Sequence, residues 1–188
     1  MKNSKITRMA GIALLMAMVV VMQFITASIP PVSGFSISLV LIPIVLGAAI
    51  FGAKAGALLG ATFGVVVVIN CITGADAGGH MVFQANPILC IAVVLGKGIL
   101  AGLVSGMVYS AFAKANGYLA MVLAAIVCPV VNTGIFLLGC LIFFLDSVKE
   151  MAAGEGMGIW MYLIVFFVGL NFIFEFCILR VDIFLTFF

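Results

Sequence analysis

The stretch Phe51–Gly64, FGAKAGALLGATFG, places glycine at Gly52, Gly56, Gly60 and Gly64, with alanine one position later at Ala53, Ala57 and Ala61. In water, glycine costs a helix about 1 kcal/mol per site relative to alanine, so a soluble helix gains nothing from such a ridge. In a bilayer, water expulsion does not drive helices together, and small residues at i, i+4 and i+8 let two backbones approach closely. The same device recurs in GILAGLVSGMVYS, as Gly98, Gly102, Gly106 and then Ser110. Both ridges are expected at similar depth, in the cytoplasmic halves of the third and fourth spans, and read as small-residue surfaces for packing within a tight inner end of the bundle. A contact with another membrane subunit is the alternative use of the same surface.

Composition agrees with a membrane solvent. Of 188 residues, 66% are hydrophobic and 7% are charged, whereas a soluble domain carries about a quarter charged residues. Six apolar runs are long enough to span: 9–28, 36–51, 55–73, 87–113, 118–145 and 158–179. A spanning helix needs about 20 such residues. The second run is short and contains Pro43, and the fourth and fifth are long enough to require tilt or bending. None alternates apolar and polar residues as a barrel strand does. The fold class is therefore an all-α integral membrane bundle of six transmembrane helices, forming one domain over residues 1–188. The first run is read as helix one rather than a cleaved signal, because its apolar stretch is long and a Pro-Pro loop leads into the next span.

Charge sets the orientation. With the N-terminus in the cytoplasm, the inner segments hold Lys2, Lys5, Arg8, Lys54, Lys114 and Arg180 against Asp182 alone. The outer segments hold Asp76, Asp146, Glu150 and Glu155 with Lys149. This is the positive-inside pattern, with both termini cytoplasmic. The five cysteines, Cys71, Cys90, Cys128, Cys140 and Cys177, fall in spans without CxxC spacing. They read as small hydrophobes, with neither a disulfide framework nor a metal site.

Polar side chains in hydrocarbon are costly and face a bundle interior or a cavity. Counted along the helices, Gln23, Thr26, Asn70 and Thr73 fall near outer ends. Lys97, Asn132, Thr133 and Asn171 fall near mid-membrane, and the inner halves hold little besides Glu175 and hydroxyls. The pattern predicts a cavity open to the outside. Lys97 stands out: an ammonium there costs about 2.5–3.5 kcal/mol on insertion scales and needs a partner. Snorkelling or a protein carboxylate is one solution, and an anionic ligand is the other. In PVVNTGIFLLG, Pro129 frees a backbone carbonyl beside Asn132 and Thr133, which serve either helix-bend repair or a ligand.

The segment GADAGGHMVFQANP, residues 74–87, is glycine-rich and carries Asp76, His80, Gln84 and Asn86. It reads as a mobile lid. His80 lacks the companions of a metal site. Trp160 and Tyr162 open the last span, as interfacial anchors or as a stacking wall. In AGIALLMA, Ala10, Ala13 and Ala17 form a shallow patch on helix one. No HExxH, GxSxG or nucleotide-binding loop occurs, so the chain is not expected to be an enzyme or to hydrolyse ATP. No cofactor is implied.

Taken in order, LIPIVLGAAIFGAKAGALLGATFG, GKGILAGLVSGMVY and PVVNTGIFLLG resemble the second-to-third, fourth and fifth helices of the substrate-binding S-components of energy-coupling factor transporters. The resemblance covers nearly the whole chain. It implies capture of a vitamin-like micronutrient at the outer face of a bacterial plasma membrane. It also implies a transmembrane coupling subunit docked on Ala10, Ala13 and Ala17, and two cytoplasmic ATPase subunits that power release inward. The fifth-helix Asn-Thr pair looks most like the pantothenate members. On that likeness Lys97 would meet the carboxylate, and Asn132, Asn70 and Gln23 the amide and hydroxyls, with Thr133, Asn171, Gln84, Asn86 and Trp160 completing the site. Riboflavin or a folate-like ligand would want more stacking, for which Phe63, Phe83 and Phe136 leave room. The C-terminal RVDIFLTFF departs from the pattern by being apolar where a basic tail is expected. A stand-alone facilitator and a non-transporting scaffold are the rival readings. The first lacks a continuous polar path, and the second leaves the outer amides unexplained.

Overall fold

The computed structural model describes residues 2–27 and 40–163. Among these the chain is helical: α1 (Lys2–Ala27), α2 (Leu41–Phe51), α3 (Ala53–Thr73), α4 (Ala77–Ala85), α5 (Pro87–Phe112), α6 (Gly117–Phe143), α7 (Leu145–Gly154) and α8 (Ile159–Tyr162). A helix satisfies its own backbone polar groups, which hydrocarbon cannot do. Lys5–Thr26 of α1, together with α3, α5 and α6, is long and apolar enough to cross a membrane, consistent with a multi-pass bundle. Only the start of the expected last span is described, as α8; Asn171, Glu175 and the C-terminal segment lie outside the described residues, as do residues 36–39 of the expected second span.

Among the described elements, α3 and α5 make the most extensive contact. The helices run antiparallel with glycines face to face. A Cβ added at Gly56 would overlap the Gly102 carbonyl and one at Gly102 the Gly56 carbonyl; Gly60 and Gly98 show the same reciprocity. The interlock continues at both ends, with Gly64 on the Leu95 backbone at 3.1 Å and Gly106 on the Ala53 backbone at 2.5 Å, both measured from an added Cβ. At this separation each glycine Cα meets an opposing carbonyl, where Cα–H···O contacts contribute about 0.5–1 kcal/mol each.

Gly52 departs from the expected ridge. Nothing lies within 4 Å of an added Cβ there, and its φ of 90° makes it the junction between α2 and α3. Its N–H closes α2 on the Ala48 carbonyl at 3.0 Å. Glycine is required at this position for its left-handed backbone rather than for close packing.

Pro43 sits in the first turn of α2, where a missing N–H is tolerated. The helix has 11 residues, about 16 Å at 1.5 Å each, so by itself it falls short of the hydrocarbon thickness. Arg8 ties α1 to this end of the bundle by donating to the Phe51 carbonyl at 2.7 Å. Gly11 admits the Phe51 ring beside it.

The segment expected to be a mobile lid is a helix. Asp76 caps α4 by accepting the Gly79 N–H at 3.3 Å, and Asn86 caps α5 by accepting the Leu89 N–H at 3.2 Å. Gly79 is needed for close approach: a Cβ there would come within 2.6 Å of the Cys71 sulfur. The segment after α6 likewise forms a helix, α7, with Val148, Met151 and Ala152 buried. It carries an exposed Asp146–Lys149 pair at 2.7 Å, of a kind worth at most about 1 kcal/mol.

Gly60→Ala and Gly98→Ala should each lower stability by about 2 kcal/mol, because the added methyl meets backbone that has no rotamer to yield. Gly96 has nothing within 4 Å of its Cβ position, so Gly96→Ala should leave the melting temperature in detergent unchanged or raised. Equal melting temperatures for all three variants would contradict the interlock.

Candidate functional site

The interlock places the chemistry. Lys97 precedes Gly98, whose register against Gly60 brings Phe63 close: a Cβ at Gly98 would lie 3.3 Å from the Phe63 ring. The Lys97 ammonium sits 5.9 Å from the Phe63 ring centroid and 4.2 Å from that of Phe136 on α6. A cation over an aromatic face gains about 0.5–2 kcal/mol, more as water is excluded. These two faces shelter the charge but do not neutralise it. Among the described residues the only ion pair is Asp146–Lys149, so Lys97 has no carboxylate partner there.

Asn132 stands one turn along α6 from Phe136, on the same face. It is 5% exposed, and its side-chain carbonyl oxygen has no hydrogen-bond partner. Gln23 on α1 is 3% exposed and its side-chain oxygen is equally unpartnered. A buried unsatisfied polar group costs about 1–3 kcal/mol. Asn70 is buried on α3, seven residues beyond Phe63 and therefore on the same face, about 10 Å nearer the α4 end of the bundle. Thr133 is half-buried beside Asn132. Together Lys97, Asn132 and Asn70 mark a polar column through otherwise apolar helices, with an ammonium and an unmatched acceptor at its core. Such a site can hold an anionic group and accept a hydrogen bond from the rest of the same ligand.

Other residues of the expected site are placed differently. His80 donates Nδ1–H to the Cys71 carbonyl at 2.7 Å, which leaves its Nε2 to accept from the Gln84 amide at 2.8 Å. Gln84 thus holds the latch of α4 onto α3, and Asn86 is the cap of α5. Trp160 is 71% exposed, as an interfacial anchor would be. A cavity of about 280 Å³ lies between α4, α7 and α8, lined by Ala77, Gly78, Met81, Met151, Gly154, Glu155 and Tyr162. Its single charged residue is an acid, so it does not suit an anion.

Two features were not legible as roles beforehand: the pairing of Phe63 and Phe136 around Lys97, and the Asp76 cap. The capping signal was present as an Asp preceding a run without proline, though the two glycines obscured it. On α1, Ala10, Ala13 and Ala17 are exposed on a face that no described residue covers, while Val19 on the other side is buried. Cys71, Cys90, Cys128 and Cys140 are free and buried.

The family described as ECF transporter, substrate-specific component matches residues 7–181. The chain belongs to that family. It is therefore a substrate-binding component of a transporter rather than an enzyme, a multi-pass membrane protein that takes a small-molecule substrate and works with ECF partner subunits. Comparison with individual curated proteins and with solved structures gives no match.

Asn132→Leu removes an unsatisfied acceptor and substitutes a side chain of similar size. It should raise the stability of the ligand-free protein by about 1 kcal/mol while weakening ligand binding. Thermal unfolding with and without ligand separates the two effects. A destabilised empty protein would mean that Asn132 repairs the helix at Pro129 instead.

Proposed function

We propose that this substrate-specific component captures a small carboxylate micronutrient, with pantothenate as the best candidate, and surrenders it inward when coupled to ATPase subunits. The observation that carries the reading is Lys97, a membrane-depth ammonium between two aromatic faces with no described carboxylate beside it. The ligand's carboxylate supplies the missing charge, and its hydroxyl or amide N–H donates to the unpartnered oxygen of Asn132. Asn70 and Gln23 lie toward the side from which the ligand enters, with Thr133 and Asn171 as further candidates. Gln84 and Asn86 contribute through the α4 connection, and Trp160 at the rim.

The charge distribution supports an arrangement with α4 and α7 outside the bacterial plasma membrane and both termini in the cytoplasm, completed by six spans. The exposed face of α1 bearing Ala10, Ala13 and Ala17 suits docking of the transmembrane coupling subunit, which joins two cytoplasmic ATPase subunits. Riboflavin and folate-like ligands fit less well, because the Phe63 and Phe136 faces are already engaged by Lys97. A facilitator would need a polar path through the glycine interlock, where the two backbones leave no space.

Lys97→Met should weaken pantothenate binding by at least about 30-fold, the scale of removing one partner from a buried charge pair. The neutral alcohol analogue of pantothenate should bind the wild-type protein poorly and lose little further in the variant. Unchanged affinity in Lys97→Met, measured by calorimetry, would sink the reading. Ala13→Phe should leave pantothenate affinity intact and abolish co-purification with the coupling subunit. Intact co-purification would move the docking surface elsewhere.

A further inference from the structure

Cys71 and Cys90 stand at the two feet of the α4 connection. Cys71 lies in the last turn of α3 and Cys90 in the first turn of α5, and the chain between them is little more than α4 and its caps. Both cysteines are free, and each is 1% exposed. Their side chains are hydrogen-bonded to each other across the α3–α5 pair. A disulfide needs Cα atoms within about 7 Å, and the glycine interlock favours that spacing by drawing the two helices together. From a thiol–thiol hydrogen bond, the sulfurs have only to close to a bond of about 2 Å.

The pair is covered by α4. A Cβ at Gly79 would come within 2.6 Å of the Cys71 sulfur, so α4 rests directly on that thiol. His80 holds the Cys71 carbonyl at 2.7 Å, and the Asp76 N–H reaches the Asn70 carbonyl at 3.4 Å. The Asp76 carboxylate starts the helix by accepting the Gly79 N–H. No reagent reaches Cys71 until α4 lifts.

We propose that Cys71 and Cys90 form a redox-operated staple: oxidised to a disulfide, they hold the ends of α3 and α5 together beneath α4, and reduced, they let those ends part. The oxidant is a low-molecular-weight disulfide. With α4 raised, the Cys71 thiolate attacks one sulfur of that disulfide, forming a mixed disulfide and expelling one thiolate. Cys90, its proton lost to solvent, then attacks the Cys71 sulfur, forming the Cys71–Cys90 bond and expelling the second thiolate. Two electrons pass from the cysteine pair to the external disulfide, which ends as two thiols carrying the two protons. The new bond closes a loop around α4, so any state in which the helix ends separate loses conformational freedom and is disfavoured. On the orientation proposed above, α4 faces the outside of the plasma membrane, where disulfides form and persist. The staple does not depend on which ligand the protein takes.

The test treats the full chain in mild detergent with dipyridyl disulfide, then denatures it and counts maleimide labels by mass. The chain has five cysteines, so the wild-type protein should fall from five labels to three, with no reagent left on the missing pair. Cys71→Ser and Cys90→Ser should each form no bridge. A wild-type protein that keeps all five thiols, or a bridge that survives in either variant, overturns the proposal. Asp76→Ala removes the α4 cap and should speed bridging about fivefold; an unchanged rate overturns the gating by α4. In the bridged protein, amide hydrogen exchange across α4 and the adjoining turns of α3 and α5 should slow at least about tenfold and recover on reduction. Equal exchange in the bridged and reduced proteins overturns the staple.

Discussion

The contact on which the rest depends is backbone against backbone. Gly56 with Gly102 and Gly60 with Gly98 let α3 and α5 approach until each carbonyl touches the opposing Cα. In a bilayer, where burial of apolar surface gives no drive to association, this closeness is the main source of helix affinity. A slip of one turn would still set glycine against glycine, so the spacing alone does not choose the register; the observed one seats Gly64 on Leu95 and Gly106 on Ala53. From that pairing follows the placement of Phe63 beside Gly98 and hence beside Lys97.

The same rigidity lets the protein tolerate groups that would otherwise destabilise it. A half-buried ammonium without a described carboxylate and two buried amide oxygens without partners are each unfavourable in an empty bundle. Apolar side chains at these positions would make a more stable membrane helix. Their presence is the kind of local conflict expected where a site is complementary to something absent from the empty protein. The cation–π contacts of Phe63 and Phe136 moderate the cost while leaving the charge available. Family membership makes the chain a substrate-binding component, and these unsatisfied groups are compatible with that role.

Much of this architecture was legible in the residues. The glycine spacing at Gly56, Gly60 and Gly64 and at Gly98, Gly102 and Gly106 marked two tightly packing helices at similar depth, while their meeting each other is a finding of the structure. Six apolar runs stood out because no water-facing surface tolerates them, and four helices among the described residues are long and apolar enough to cross a membrane. Gly52 belonged to the same periodicity yet serves as a junction, since spacing does not distinguish a left-handed turn from a packing surface. The 74–87 connection was misread because its glycines suggested mobility, whereas Gly79 is small so that α4 can sit on Cys71. The column of Lys97 and Asn132 was legible from depth and cost. The Phe63 and Phe136 cage depends on interhelical register, which a single sequence does not carry.

The central claim is that the site is built for an anion that donates hydrogen bonds, and native mass spectrometry of the purified protein tests it most directly. Protein released gently from detergent should carry a single small adduct whose mass identifies a carboxylate with hydroxyl or amide donors. Pantothenate is the mass expected. A retained ligand with no acidic group, cationic or neutral, would contradict the account, because Lys97 would then be facing something it has no physical reason to hold.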